Sequence, residues 1–180
     1  MNPFERERHY GAIYADPPWQ FQTWSDRGRG RSAERHYRTM TDGDIARMPV
    51  SSIAKRDALL FLWSSGPVLI RSINLLRAWG FTYSTVVFVW DKETTGLGYW
   101  TRSNCEFVLL GKRGAPKRNG KDVLQLVKAR RGAHSVKPTE VSRRIERLCD
   151  GPYLELFARR ERKGWDVWGD EVKPSGAEHG

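Results

Sequence analysis

The run Ala58-Leu59-Leu60-Phe61-Leu62-Trp63 narrows the folds open to this chain more than any other stretch. It is unbroken by polar residues, and it lies between Asp57 and the turn-forming Ser64-Ser65-Gly66-Pro67. A strand with one wet face alternates apolar and polar; a strand that does not alternate is covered on both faces, as in a sheet held between helices. Further strands read at 10–15, 83–90, 105–110 and 153–158, with a last short one at 165–168. Helices fall between them. One covers 41–48, with Thr41 as its cap and Asp44 in its first turn. A second follows Gly66-Pro67, with the stripe Leu69, Ile73 and Leu76, and Gly80 closes it. A third follows Lys137-Pro138, with the stripe Val141, Ile145 and Leu148, and ends near Cys149-Asp150-Gly151. Strands alternating with helices predict an α/β domain with a mostly parallel sheet flanked by helices. Residues 1–9 read as a loose arm, 10–172 as one domain and 173–180 as a tail.

The first strand runs into Asp16-Pro17-Pro18-Trp19. Two prolines cannot continue a ladder, and each holds φ at about −65°, so a stiff corner stands outside the strand's carboxyl end. Open α/β sheets bind their ligands there. The corner offers the Asp16 carboxylate, the Pro17 and Pro18 carbonyls with no partner amide, and the Trp19 indole. Such a set suits a planar amine. If Asp16 and the Pro17 carbonyl accept the two hydrogens of the exocyclic amino group of adenine, electron density returns to the nitrogen. Trp19 then stacks on the ring, a contact worth roughly 1–3 kcal/mol per base. A Pro-rich turn with one packing tryptophan is the plainer account of the same residues.

Charge points to the partner. Lys and Arg number 31 against 21 Asp and Glu, a net +10, and such an excess suits a polyanion, usually nucleic acid. No apolar run reaches the roughly 18 residues of a membrane span, and no basic helix has a sustained apolar face. A cytoplasmic protein without membrane contact is expected. Cys105 and Cys149 lie in apolar contexts without metal-ligand spacing, which suits a reducing compartment. His9, His36, His134 and His179 are scattered; no metal site is expected, and a zinc deaminase is excluded. Two basic stretches are candidate phosphate contacts. The Gly/Arg-rich loop 20–38, with Arg29 and Arg31, reads as a lid or substrate loop. The stretch 112–131, with Lys117 and Arg118 and a possible strand at 123–127, binds phosphate or is simply a solvated charge run. Trp100 reads as core rather than as a base platform. No GxGxxG loop announces a dinucleotide.

The motifs together resemble the MT-A70 family of S-adenosylmethionine-dependent adenine N(6)-methyltransferases. The resemblance is carried by Asp16-Pro17-Pro18-Trp19, His36-Tyr37-Arg38-Thr39-Met40-Thr41, Leu60-Phe61-Leu62-Trp63, Gly98-Tyr99-Trp100 through Glu106 to Gly111-Lys112-Arg113-Gly114, and His134-Ser135-Val136-Lys137-Pro138. Ile145-Glu146-Arg147-Leu148, Glu155-Leu156-Phe157-Ala158-Arg159 and Gly164-Trp165-Asp166-Val167-Trp168-Gly169 complete it. The close-set form is similar to the short bacterial and phage members. The resemblance implies a Rossmann-like methyltransferase fold in permuted order, catalytic corner first and cofactor strand late. It implies S-adenosylmethionine as cofactor, with Asp16, Lys137, Glu155, Arg159, Asp170 and Glu171 around it. Lys137 meets the methionine carboxylate, Arg159 the ribose end, and Asp170-Glu171 the ribose hydroxyls. Asp170 departs from the usual amide and accepts only when ionised. Tyr37 matches a tyrosine of the active-site loop, with structural packing as its alternative. The implied activity is methyl transfer to adenine in nucleic acid, DNA favoured and RNA the alternative, with a homodimer or a separate specificity subunit supplying sequence preference. An inactive nucleic-acid-binding relative is the remaining alternative.

Overall fold

Strand β1 (Tyr10–Ala15) organises the sheet. The computed structural model describes residues 2–20, 39–96, 98, 100–132 and 136–172. After β1 come helices α1 (Asp42–Arg47) and α2 (Val50–Ile53), strand β2 (Ala54–Ser64), helix α3 (Leu69–Ala78), strands β3 (Thr82–Asp91), β4 (Cys105–Arg113) and β5 (Leu126–Lys128), helix α4 (Thr139–Leu148), and strands β6 (Tyr153–Leu156) and β7 (Trp165–Trp168). They form one sheet in the order β5-β3-β4-β2-β1-β6-β7. Every neighbouring pair is parallel except those of β4, which runs antiparallel to both β2 and β3. The mostly parallel sheet between helices is therefore the observed fold.

Covering both faces is what the unbroken apolar strands require. Ile13, Leu60, Leu62, Leu154 and Leu156 pack with Ile45, Val50, Leu76 and Trp79 of the α1–α3 layer. Tyr14, Phe61, Trp63 and Phe88 point the other way, toward Val141 and Ile145 of α4. Gly111 lets α3 lie close: a Cβ there would stand 2.9 Å from Leu76 Cδ2 and 3.0 Å from Phe81 Cβ. Gly80, at φ +80, ends the turn after α3 as its position predicted.

Local boundaries shift for identifiable reasons. The strand expected at 153–158 stops at Leu156, because Phe157 turns to φ +59 and leaves the ladder. The buried side of α3 is Ser72, Leu75 and Leu76, with Leu69 and Ile73 only partly covered. The short strand placed at 123–127 forms instead at Leu126–Lys128. The N-terminal stretch is tied down rather than loose. Phe4 meets Trp168 edge-on at 5.7 Å, and Asp166 accepts from Tyr10 Oη at 2.6 Å while pairing with Arg8 at 3.1 Å.

One consequence of the topology places the site. The connections from β1 to β2 run through helices on one face, and the crossover into β6 runs through α4 on the other. The two directions diverge outside the carboxyl end of β1, the position at which open α/β sheets bind ligands. Asp16 is the first residue beyond that end.

Candidate active site

Because β4 is antiparallel, its first residues lie at the edge where the parallel strands end. Glu106 therefore stands beside Asp16, with Lys92 just past β3 and Lys137 just before α4. The Lys137 ammonium joins the two acids: Nζ lies 3.2 Å from Asp16 Oδ2 and 2.9 Å from Glu106 Oε2. Lys92 Nζ approaches the other Glu106 oxygen at 3.5 Å. Lys137, Glu106 and Asp16 are 18, 23 and 26% exposed, so the cluster is half-sheltered from water. Two acids and two ammonium groups leave it formally neutral.

Electrostatics keep Glu106 and Lys137 charged. Burial pushes the Glu106 carboxyl up, but Lys137 and then Lys92 outweigh it and hold the group below the ordinary carboxylate range. Burial alone would depress Lys137; Asp16 and Glu106 reverse that and raise it above an ordinary lysine. Beneath them Lys137 Nζ lies 5.0 Å over the Trp63 ring, a cation–π contact. The Trp63 indole N–H donates to Tyr14 Oη at 2.6 Å, and burial, reinforced by Glu155, keeps that phenol neutral. The floor of the cluster is thus stiff and aromatic.

The corner itself differs from its sequence reading in two respects. The proline carbonyls do have partner amides: Trp19 N–H donates to Pro17 O at 2.9 Å and Met40 N–H to Pro18 O at 3.0 Å. A carbonyl has two lone pairs, so each keeps one. Trp19 is not an open platform; it is 6% exposed in the α1–α3 core, and the Arg71 guanidinium lies 4.9 Å over its ring. Asp16 Oδ2 is taken by Lys137, and Oδ1 has no partner among the described residues.

The residues expected around the cofactor lie where β6 and β7 end. Arg159 Nε sits 3.6 Å from Glu171 Oε1, and the neighbouring Asp170 is exposed. Glu155 is engaged elsewhere, its Oε2 accepting from Arg162 Nε at 2.9 Å, while Arg162 also bonds Ser142 Oγ at 2.6 Å. Tyr37, Arg29 and Arg31 lie outside the described residues.

The Trp100 expectation is corrected, and Lys117 and Arg118 stand apart from the cluster. Lys117 and Arg118 follow the far end of β4, whose nine residues carry the chain about 27 Å away from Glu106. They stand at the opposite edge of the sheet from Asp16. Basic residues that do reach the edge of Asp16 and Glu106 are Arg130 and Arg131, which follow β5; the Arg131 amide bonds Lys92 O at 3.1 Å. Trp100, read as core, is 100% exposed on the β3–β4 connection at this same edge. Finally, Glu106 and Lys92 were not singled out as site residues. Their signal, a charge at the end of an apolar run, is the one that exposed Asp16, but β4's direction was needed to place Glu106.

The model of the MT-A70 family matches residues 10–171. The chain is 38% identical over 183 residues to the Type II methyltransferase M.MunI of a Mycoplasma species, covering 92% of this chain and 78% of that protein. The chain belongs to the MT-A70 family. This MT-A70 methyltransferase is also 28% identical to an N(6)-adenosine-methyltransferase MT-A70-like protein of Arabidopsis thaliana, over 91% of its own length but 24% of the plant protein. With the human N(6)-adenine-specific methyltransferase METTL4 it shares 27% identity, over 91% of this chain and 37% of that one. Among the described residues no helix is long and apolar enough to cross a membrane, and no cluster of potential ligands could hold a metal ion.

Proposed function

We propose that this MT-A70 methyltransferase moves the methyl group of S-adenosylmethionine to the exocyclic amino nitrogen of adenine in nucleic acid, with DNA as its main substrate. The observation that carries the reading is Asp16 Oδ1, without a partner among the described residues, on a carboxylate whose other oxygen is pinned by Lys137. A fixed hydrogen-bond acceptor just beyond the end of β1 suits an amino group that must be oriented and then relieved of a proton. Asp16 Oδ1 accepts one amine hydrogen, and the second lone pair of the Pro17 carbonyl accepts the other. As the N–C bond forms, the nitrogen becomes cationic; its proton passes to Asp16 Oδ1.

The donor set fits S-adenosylmethionine, which carries a carboxylate, a ribose diol and a cationic centre. Lys137 would hold the carboxylate through its third N–H, Arg159 the ribose end, and Glu171 and Asp170 would accept from the diol. The acids at the rim favour a sulfonium. When bound, the cofactor supplies an electrophilic methyl whose S–C bond breaks to leave a neutral thioether. In a duplex the target base must leave the stack, at a cost of a few kcal/mol. Arg130 and Arg131, with the Arg29–Arg31 loop, take the phosphates.

The test is incubation with methyl-labelled cofactor and matched DNA and RNA pools. Label is expected in adenine of the DNA pool and absent with Asp16→Ala. Incorporation into RNA alone would make RNA the substrate. Label that survives Asp16→Ala would overturn the assignment.

A further inference from the structure

Arg71 lies on α3, outside the cluster just described, and no motif marks it. All three of its guanidinium nitrogens are used. Nε donates to Asp42 Oδ2 at 2.6 Å, and Nη2 to the other oxygen of that carboxylate. Nη1 and Nη2 also donate to the Gln20 carbonyl, at 3.1 and 3.2 Å. The guanidinium plane meanwhile lies over the Trp19 ring, 4.9 Å from its centroid.

Those contacts join two pieces of chain. Residues 16–20 form the catalytic corner; residues 39–42 lead into α1, whose first residue is Asp42. The pieces already touch through the Met40 amide on Pro18 O and a parallel bridge between Trp19 and Met40. Arg71 bonds one residue of each piece from a third element. The Trp19 indole nitrogen, meanwhile, is buried with no acceptor among the described residues. Its own polar atom therefore does nothing to orient the ring, which leaves orientation to packing and to the cation on its face.

We infer that Arg71 is a positioning residue for methyl transfer: it clasps Gln20 and Asp42 and presses on Trp19, and so sets the attitude of the Asp16–Pro17 corner. The inference rests on the proposed reaction for its kinetic arm only. The fork needs a planar group with several donors, which arginine has; an ammonium ion is a point charge with no face to stack. Arg71 touches neither Asp16 nor Lys137, so its influence runs through the backbone of residues 17–20. Small misplacements of a reacting group lower rates steeply.

The experiment compares wild type with Arg71→Ala, Arg71→Lys and Asp42→Asn. Measured are kcat and KM on a short adenine-containing oligonucleotide, cofactor Kd by calorimetry, and the Trp19 indole N–H resonance, assigned with Trp19→Phe. For Arg71→Ala we expect kcat lower by about tenfold or more, cofactor Kd within about twofold of wild type, and a displaced Trp19 resonance. Arg71→Lys should not restore the rate, whereas guanidinium ion at non-denaturing concentration should partly restore Arg71→Ala. Wild-type kcat in Arg71→Ala, full activity in Arg71→Lys, or cofactor affinity collapsing in step with kcat would each overturn the inference. If Arg71→Ala does not fold, Asp42→Asn decides: a lower kcat at unchanged cofactor affinity supports the clasp, and an unchanged kcat removes it. A wild type that transfers no methyl would sink the reaction, and the Trp19 resonance would still report whether Arg71 sets the ring.

Discussion

The two edges of the sheet use the same residue types for different ends. At the carboxyl edge, opposite charges are gathered and sheltered: Asp16, Glu106, Lys137 and Lys92 meet within 3.5 Å of one another in a chain of contacts. At the other edge, exposed cations accumulate with their acids already committed. Lys55, Arg56, Lys112, Lys117, Arg118 and Lys121 are all exposed. Nearby, Asp57 accepts the Ala115 amide at 2.7 Å, Asp122 pairs with Arg147 at 2.8 Å, and Asp150 accepts from Asn119 at 2.9 Å. The loop bearing Lys117 and Arg118 is itself fixed, since the Asn119 and Gly120 amides cap the last carbonyls of α4 at 2.8 and 2.9 Å. Sheltered, mutually bonded charge positions atoms; exposed charge of one sign shapes a long-range field. A count of Lys and Arg cannot tell the two apart.

The comparison breaks first at Lys137. Lys137→Met leaves Asp16 and Glu106 facing each other without the cation between them, and two half-sheltered carboxylates repel. We expect a loss of roughly 2 kcal/mol in urea unfolding, below the range for fully buried pairs because all three side chains retain some exposure. Methyl transfer should fall with it. Adding Glu106→Gln to Lys137→Met should recover part of the stability, because one of the stranded charges is gone. If the double variant were no more stable than Lys137→Met, the cluster would not be the coupled unit described here.

Acid and base sharpen the same contrast. Glu106 is held below the ordinary carboxylate value of 4.5, so its stabilisation is complete above that value and is lost as pH falls through the lowered one. Lys137 is raised above the ordinary 10.5, so its share is complete below that value and is lost as pH rises through the raised one. Urea midpoints followed from about pH 3 to pH 11 should show a plateau between these limits. In Lys137→Met the Glu106 carboxyl loses its main counterion and its pKa rises, so the acid limb should move to higher pH. An unmoved acid limb would mean that Glu106 does not depend on Lys137.

Much of this was legible because burial leaves a blunt mark on sequence. The unbroken run before Ser64 required cover on both faces, and the two prolines after Asp16 required a strand end. Lys137 came from the family resemblance, as the lysine of its Lys-Pro pair. What stayed hidden turned on one fact, the direction of β4. An apolar run reads the same forwards and backwards, so a parallel β4 would have put Glu106 at the far edge and Lys117 near the site. With β4 antiparallel, the two exchange places. Arg71 had no signal, since its role lies in what it touches across the fold: Gln20 and Asp42 are 51 and 29 residues away in the chain.

The smallest effect is predicted for the far edge, and it bears on the comparison most directly. Lys117→Glu with Arg118→Glu reverses two exposed charges on a loop pinned by backbone bonds, so the fold should tolerate the change within about 0.5 kcal/mol, as surface substitutions usually do. The site lies about 27 Å off along β4, well beyond a Debye length of about 8 Å at physiological salt. On an oligonucleotide only a few base pairs longer than the target, kcat should therefore stay within about twofold of wild type. Arg130→Glu with Arg131→Glu makes the same change of charge at the catalytic edge, and there KM for nucleic acid should rise and the salt dependence of binding should weaken. Equal losses from the two pairs would show that net charge, not placement, governs substrate binding, and the distinction between the edges would fall.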